Sequence, residues 1–248
     1  MLKERNGIIF VTGATGMGKT TTLAALLNEL NKTQDIHIIT LEDPVEYRHT
    51  AIKASFSQRE LGRDFFSYST GLRAALRQAP RAILVGEIRD RETMEVALTA
   101  AETGHVVFTT LHTINASQSI NRILGMFDKE EEPLVRQRLA DTLRWIASQR
   151  LVPKVGGGLQ LVTEIMGSNL RSREVIKLGE SEKRNLHDII ESSVTPYGWH
   201  SFEQSLLKAF QAGSITEDTA LLQSTHKNKL RQAIDLARHS RRAQTSLT

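Results

Sequence analysis

The feature that most constrains this chain lies near its start, where residues 8–22 read IIFVTGATGMGKTTT. A β-branched and aromatic run ends at Gly13, the spacing G-x-x-x-x-G-K-T follows, and an apolar-periodic segment extends from Leu23 to Leu30. Strand, glycine-rich loop and helix in this order are typical of a loop that binds phosphate through its backbone N–H groups, at the positive end of a helix dipole. The sequence therefore predicts an α/β fold and a bound nucleotide.

The residues of this loop have separate expected roles. The glycines allow the backbone to approach a phosphate closely, Lys19 would reach the β and γ phosphates, and the Thr20 hydroxyl would hold Mg²⁺. Because kinases, GTPases, transporters and helicases share this loop, it does not by itself identify the reaction. The residues predicted to bind the nucleotide are Gly13, Thr15, Gly16, Met17, Gly18, Lys19, Thr20 and Thr21.

Composition narrows the class of protein. With 248 residues, the chain is long enough for one large domain or for one domain and a small addition. We find no run of about 18 apolar residues and no signal-peptide core near the start, and therefore expect a cytoplasmic protein. The sequence contains no cysteine, which excludes disulfides, thiol catalysis and thiolate zinc sites.

Acidic residues follow the second predicted strand. The apolar run 36–41 ends in the sequence Glu42-Asp43-Pro44-Val45-Glu46. The carboxyl ends of parallel strands form the edge over which ligands bind, so this cluster suits a metal or water network beside the phosphates. A polar turn around Pro44 is the alternative interpretation.

Another predicted strand, residues 82–85, leads into the sequence Gly86-Glu87-Ile88-Arg89-Asp90. In P-loop NTPases this strand usually ends in an aspartate on the Mg²⁺ side, a position that Gly86 takes here. We therefore expect Glu87 to orient and polarise the attacking water, with a capping or solvated carboxylate as the alternative. Asp90 is expected to cap the helix that follows.

Two histidines flank the predicted strand 106–110. His112 follows the carboxyl end of the strand, where an imidazole is placed to sense the γ-phosphate. His105 precedes the strand, and an ordinary packing or polar role competes evenly with a functional one at that position.

The motifs together resemble those of the secretion or traffic ATPases, and specifically of the type IV pilus retraction motors in the twitching-motility (PilT-like) group. Four motifs in the family's order carry the resemblance, which extends from about Gly7 to Met166 and more loosely beyond. They are the P-loop 13–20, the acidic box 41–46, the second acidic strand 83–90 and the histidine box 103–113.

The resemblance implies a RecA-like core that works as a hexameric ring and hydrolyses ATP with Mg²⁺. Such a motor acts on an inner-membrane platform protein and withdraws pilin subunits, which would place it at the membrane periphery. Assembly motors of the superfamily usually carry a four-cysteine zinc site, so the lack of cysteine favours the retraction side.

The resemblance also assigns roles to individual residues. Glu87 is implied as the catalytic carboxylate, with Glu42, Asp43 and Glu46 assisting the metal and the water. His105 and His112 are implied to communicate the nucleotide state and are predicted with the catalytic residues. The residues predicted for the metal are Thr20, Asp43 and Glu87.

Among the departures of the chain from the family, two concern the nucleotide site. Met17 stands where a serine is common, a change expected to alter only the outer wall of the loop. The PAS-like domain that supplies arginines to the nucleotide site in the family does not precede this P-loop. We therefore expect a fragment or truncated frame that binds ATP but hydrolyses it poorly, since a missing arginine can cost several powers of ten in rate.

The remaining sequence predicts the outline of the fold. Residues 51–60 indicate a short hairpin or an added strand, and residues 149–166 a hairpin. A helix from Pro133 is predicted to bury one stripe of side chains. That predicted stripe consists of Val135, Leu139, Leu143 and Ile146.

Only helices are predicted after Gly167, so we expect a RecA-like ATPase core in residues 1–166 and a C-terminal helical region in residues 167–248. A loop containing Pro196 is predicted to join two groups of helices. The basic segment 227–242 is predicted to form a helix with an apolar stripe, and contact with anionic lipid or nucleic acid is the alternative.

Two other functions fit parts of the sequence. An ATP-binding docking module without turnover is compatible with the lack of the N-terminal domain. A RecA-like nucleic-acid translocase is compatible with the basic tail and the pI of about 9.4. Aromatic residues make up only 5% of the chain and form no stacking platform, so no specific nucleic acid is expected.

Overall fold

A computed structural model describes residues 1–194 and 198–245, with side chains through residue 239. Pro196, predicted for the loop between two helical groups, lies outside the described residues. The strands are β1 (Gly7–Thr12), β2 (His37–Glu42), β3 (Ser55–Glu60), β4 (Ala82–Val85), β5 (Val106–Leu111), β6 (Leu143–Pro153) and β7 (Leu159–Gly167). The helices are α1 (Lys19–Thr33), α2 (Tyr68–Leu76), α3 (Arg91–Glu102), α4 (Ala116–Leu124), α5 (Glu132–Thr142), α6 (Leu170–Leu178), α7 (Leu186–Ser192), α8 (Phe202–Gln211), α9 (Glu217–Gln223) and α10 (Lys227–Thr245).

A seven-stranded sheet, in the order β3-β2-β4-β5-β1-β6-β7, forms the centre of the described chain. Every neighbouring pair is parallel except β6 and β7, which form an antiparallel hairpin. The central strands β1, β4 and β5 are buried along their whole length, which explains their continuous apolar sequences. The predicted α/β fold is confirmed.

Helices cover both faces of this sheet. On one face, Leu23, Leu27 and Leu30 of α1 recur at helical spacing and pack against Ile9 and Val11 of β1. On the other face, α2, α3 and α5 bury their apolar stripes against alternate residues of the same strands. Each fully buried aliphatic side chain contributes on the order of 2 kcal/mol of hydrophobic free energy. Helices α6 and α7 pack into this second face as well.

The last three helices form a separate apolar cluster on the far part of the β6–β7 hairpin. Val152 and Val162 of the hairpin contact Phe202, Leu206 and other side chains of α8, α9 and α10. The predicted apolar stripe of α10 is confirmed within the described side chains, because Leu230 and Ile234 are buried there. No helix in residues 1–194 and 198–245 combines the length and apolar character that crossing a bilayer requires.

The structure decides two predictions about secondary structure, at the end of α5 and at residues 55–60. Helix α5 ends at Thr142, so the prediction that Leu143 and Ile146 continue its buried stripe is wrong. Leu143 adopts an extended conformation, with φ −60° and ψ 131°, and starts a strand that pairs with β1. The backbone of β1 needs hydrogen-bond partners on both sides, and this requirement overrides the local helical period. Residues 55–60 form an added parallel strand on β2 rather than a hairpin.

Candidate functional site

The carboxyl ends of β1, β2, β4 and β5 meet at one edge of the sheet and border a cleft of about 760 Å³. Because all four strands are parallel, the segments that follow them lie side by side at this edge. These segments are the glycine-rich loop, the acidic box, the Gly86–Asp90 segment and the segment that starts at His112.

The glycine-rich loop is shaped by close contacts with β6. Gly13 has φ 147°, and a Cβ atom there would lie 2.7 Å from the carbonyl oxygen of Gln149. No side chain fits at this position, so Gly13 is required. Gly18 adopts a left-handed conformation, with φ 79°, and precedes the first turn of α1. The free N–H groups of that turn therefore face the cleft.

Lys19 is buried at the base of this loop. Its Nζ donates hydrogen bonds to the carbonyl oxygens of Gly13 at 2.8 Å and Ala14 at 2.9 Å. Burial lowers the pKa of Lys19, and the negative charge of Glu87 offsets part of this effect. The ammonium group is thus held by the loop and lies within the electrostatic reach of the carboxylate that follows β4.

Six of the eight predicted nucleotide-binding residues line the cleft, and two do not. Gly13 and Met17 belong to the loop but do not line the cleft. The Met17 sulfur accepts a hydrogen bond from the Leu151 N–H at 3.2 Å. This contact directs the Met17 side chain toward β6, away from the phosphate-facing backbone. The residues that line the cleft are Thr15, Gly16, Gly18, Lys19, Thr20 and Thr21.

The acidic box borders the cleft opposite the loop. Glu42, the last residue of β2, is buried, while Asp43 and Glu46 are exposed at the rim. Burial raises the pKa of Glu42, and nearby Glu46 and Glu60 act in the same direction. Thr20 and these three carboxylates face one space, and hydroxyl and carboxylate oxygens are the ligands that Mg²⁺ prefers. The residues present therefore fit a magnesium ion.

Glu87 lies between two cationic or polarisable groups. Its Oε2 is 2.7 Å from the guanidinium of Arg89, and its Oε1 is 3.3 Å from Nε2 of His112. Partial burial alone would raise the pKa of Glu87, but the hydrogen bonds and charges of Arg89 and His112 outweigh burial and lower it. The carboxylate is therefore ionised at neutral pH and held in one orientation.

Gly86, in the place of the expected aspartate, has little free space around it. A Cβ atom at this position would lie 3.2 Å from the Leu41 carbonyl oxygen and 3.2 Å from the Tyr68 hydroxyl. The Gly86 carbonyl accepts a hydrogen bond from the Thr110 hydroxyl at 2.7 Å, which ties the end of β4 to β5.

The structure separates the two predicted histidines. His112 is at the cleft, but His105 precedes β5 and therefore lies at the opposite edge of the sheet. The His105 Nδ1 lies 3.1 Å from the carbonyl oxygen of Ala100, within the turn that follows α3. His105 does not line this cleft, and its role among the catalytic residues stays a prediction.

Arg89 and Tyr68 are among the cleft-lining residues that the sequence did not predict for the site. Arg89 contacts Glu87 and stands only two residues after it, so its position in the Gly86–Asp90 segment was an available signal. Tyr68 lines the cleft although the periodicity of α2 indicates a packing residue. No local signal shows that the Tyr68 hydroxyl reaches the end of β4.

Comparison with known proteins gives consistent matches. The sequence model of a family described as "Type II/IV secretion system protein" matches residues 1–194. The chain is 42% identical over 214 residues to the "Type IV pilus retractation ATPase PilT" of Pseudomonas aeruginosa, covering 86% of this chain and 61% of that protein. It is 40% identical to a twitching motility protein of Neisseria gonorrhoeae, covering 86% of this chain and 57% of that protein.

Solved structures agree with these sequence matches. The crystal structure of the pilus retraction motor PilT with bound ADP superposes with a TM-score of 0.84 and 41% identity, covering 93% of this chain and 65% of that chain. The X-ray structure of the Legionella pneumophila ATPase DotB superposes with a TM-score of 0.79 and 32% identity, covering 89% of this chain and 60% of that chain. The chain thus spans less than two thirds of the length of each of these relatives.

Proposed function

Because this chain belongs to the type II/IV secretion system protein family, we propose that it is the ATP-hydrolysing part of a motor that powers type IV pilus retraction. The observation that carries this proposal is the meeting of Lys19, Glu42, Glu87 and His112 around one cleft, next to the N-terminus of α1. A buried cation and oriented N–H groups suit the phosphates, and an ionised carboxylate suits the attacking water.

Each side chain has a distinct task in hydrolysis. The N–H groups of the loop and Lys19 bind the β and γ phosphates and stabilise the charge that develops on them. Glu87 orients a water molecule toward the γ-phosphate, and its lowered pKa keeps it ready to accept a hydrogen bond from that water. His112 contacts Glu87, so it links the state of the γ-phosphate to the segment before α4.

Magnesium belongs to the same proposal. Thr20, Asp43 and Glu87 would hold it, with Glu42 and Glu46 placed to bind its waters. When bound, Mg²⁺ neutralises charge on the β and γ phosphates.

The assembly and its partners are also proposed from the family. PilT, the relative solved with ADP, is described as a pilus retraction motor. We propose that this chain assembles into a homohexameric ring, and that the ring contacts an inner-membrane platform protein from the cytoplasmic side.

Replacement of Glu87 by glutamine tests the proposed reaction. Glutamine keeps the size of the side chain but removes the charge that orients the water, so turnover should fall at least 100-fold while ATP binding changes little. The measurements are phosphate release, followed long enough to resolve the slow rate expected of this chain, and equilibrium binding of a fluorescent ATP analogue, at chain concentrations high enough for self-association. Glu29→Gln, an exposed carboxylate on α1, is the matched control and should keep the wild-type rate.

The outcomes separate the proposal from its alternatives. Normal turnover in Glu87→Gln would refute the assigned role of Glu87. Nucleotide binding without turnover in the unaltered chain would favour a docking module. A rate stimulated by single-stranded nucleic acid in a salt-dependent manner would favour a translocase.

A further inference from the structure

Tyr68 is held firmly at the wall of the nucleotide cleft. It is the first residue of α2, and the preceding Ser67 caps this helix by accepting a hydrogen bond from the Thr70 N–H. The Tyr68 ring is half-buried and packs against Phe65, with ring centroids 5.5 Å apart and planes inclined at 58°. The cap and the ring contact fix the direction of the side chain, so the hydroxyl has a defined place in the cleft.

The hydroxyl lies beside the position where a carboxylate is missing. A Cβ atom on Gly86 would lie 3.2 Å from the Tyr68 hydroxyl oxygen. Gly86 directly follows β4, where P-loop NTPases usually carry the aspartate on the Mg²⁺ side. The hydroxyl therefore borders the space that such an aspartate would enter.

This hydroxyl is available to a ligand. No hydrogen bond to it comes from residues 1–194 or 198–239, the part of the chain whose side chains are described. Burial, with the nearby charge of Asp43 as the next cause, raises the pKa of Tyr68 to about 12. The group consequently remains a protonated donor at neutral pH, facing a space bordered by Glu42, Asp43 and Glu87.

We propose that Tyr68 is a further substrate-contacting residue, whose hydroxyl donates a hydrogen bond to the oxygen shell of the Mg²⁺–triphosphate group next to Gly86. The inference rests on the proposed function and adds a residue to that site. The proposed contact is also consistent with a glycine at position 86, because a Cβ atom there would lie 3.2 Å from the Tyr68 hydroxyl oxygen and crowd it.

Replacement of Tyr68 by phenylalanine is the direct test, because it removes one oxygen atom and keeps the ring that packs on Phe65. The measurement is the Kd of a non-hydrolysable ATP analogue with Mg²⁺ and with a chelator, together with the urea midpoint of unfolding. A hydrogen bond to a charged group contributes enough to predict a loss of about tenfold in the Mg²⁺-dependent gain of affinity. The Kd in chelator and the unfolding midpoint should stay at wild-type values.

Thr33→Val is the control for loss of a hydroxyl outside the cleft. Thr33 is the last residue of α1, and its exposed hydroxyl donates a hydrogen bond to the carbonyl oxygen of Glu29 at 2.6 Å. This variant should keep the wild-type gain of affinity with Mg²⁺.

The two possible failures are distinct. If Mg²⁺ does not raise the affinity of the unaltered chain for the analogue, the proposed function fails, and with it the ligand proposed for Tyr68. If the unaltered chain shows the gain and Tyr68→Phe shows an equal gain, the inference about Tyr68 alone is refuted.

Discussion

Replacement of Glu164 by glutamine should make the protein more stable at slightly alkaline pH. Glu164 in β7 is buried, and its Oε1 accepts a hydrogen bond from the Ala116 N–H, the first residue of α4, at 2.8 Å. Burial raises its pKa from 4.5 to about 7, with the charge of Glu203 adding to the effect and Arg150 opposing it. The folded state therefore holds a proton on Glu164 that the unfolded state releases at much lower pH.

The size and sign of the effect follow from this difference in pKa. A group with a raised folded-state pKa stabilises the fold below its unfolded pKa, and that contribution is lost as the pH rises through the folded value. For Glu164 the loss takes place between pH 4.5 and about 7 and amounts to about 3 kcal/mol. Glutamine carries no charge and keeps an oxygen for the Ala116 N–H, so it avoids this loss.

Urea unfolding, followed by circular dichroism from about pH 5 to about pH 8, measures the prediction. Glu164→Gln should exceed the unaltered chain by up to about 3 kcal/mol near pH 8 and approach it near pH 5. The other titratable and charged groups near Glu164 are His187, Glu203 and His226, with Glu180 and Arg150 also acting on it. They are present in both proteins, so subtraction of the two curves gives the effect of Glu164 together with its coupling to these groups.

Glu203 provides a control of opposite sign. Burial alone would raise its pKa, but hydrogen bonds from the His226 N–H, the Ser224 hydroxyl and the Thr225 N–H outweigh burial and lower it. Its contribution is present above its unfolded pKa and lost as the pH falls, so Glu203→Gln should destabilise the protein at neutral pH. The reasoning would be refuted if the change in unfolding free energy caused by Glu164→Gln did not vary with pH. It would also be refuted if Glu164→Gln and Glu203→Gln changed the unfolding free energy in the same direction near pH 8.

Two further predictions concern the segment after β4. Arg89→Ala should raise the pKa of Glu87, because it removes the contact at 2.7 Å that counteracts burial. Carbon-detected NMR titration of the Glu87 carboxyl measures this pKa, and an unchanged value would contradict the assigned effect of Arg89. Asp90→Ala should lower the free energy of unfolding by about 1 kcal/mol, because the Asp90 side chain caps α3 by accepting a hydrogen bond from the Thr93 N–H at 2.8 Å. Asp90→Asn should lower it by less, and equal losses in the two variants would exclude capping as the cause.

The sequence predicted the parts of the site that depend on local pattern. A buried strand is readable as an apolar run, and the residue that follows a parallel strand lies at its carboxyl end. For this reason the sequence predicts that Lys19, Glu42, Glu87 and His112 share one edge, and the structure brings them to one cleft. The same rule of strand direction applies to His105, which precedes its strand and lies at the other edge.

Tertiary contacts decided what local pattern does not contain. Leu143 and Ile146 continue a helical period, yet they form a strand because β1 requires a partner there. The contact of His112 with Glu87, and the approach of the Tyr68 hydroxyl to Gly86, join residues on different elements. Local sequence determines which residues end each strand, because that depends on hydrophobic period. The partners of those residues depend on strand order and on the space left between packed elements, and these exist only in the folded chain.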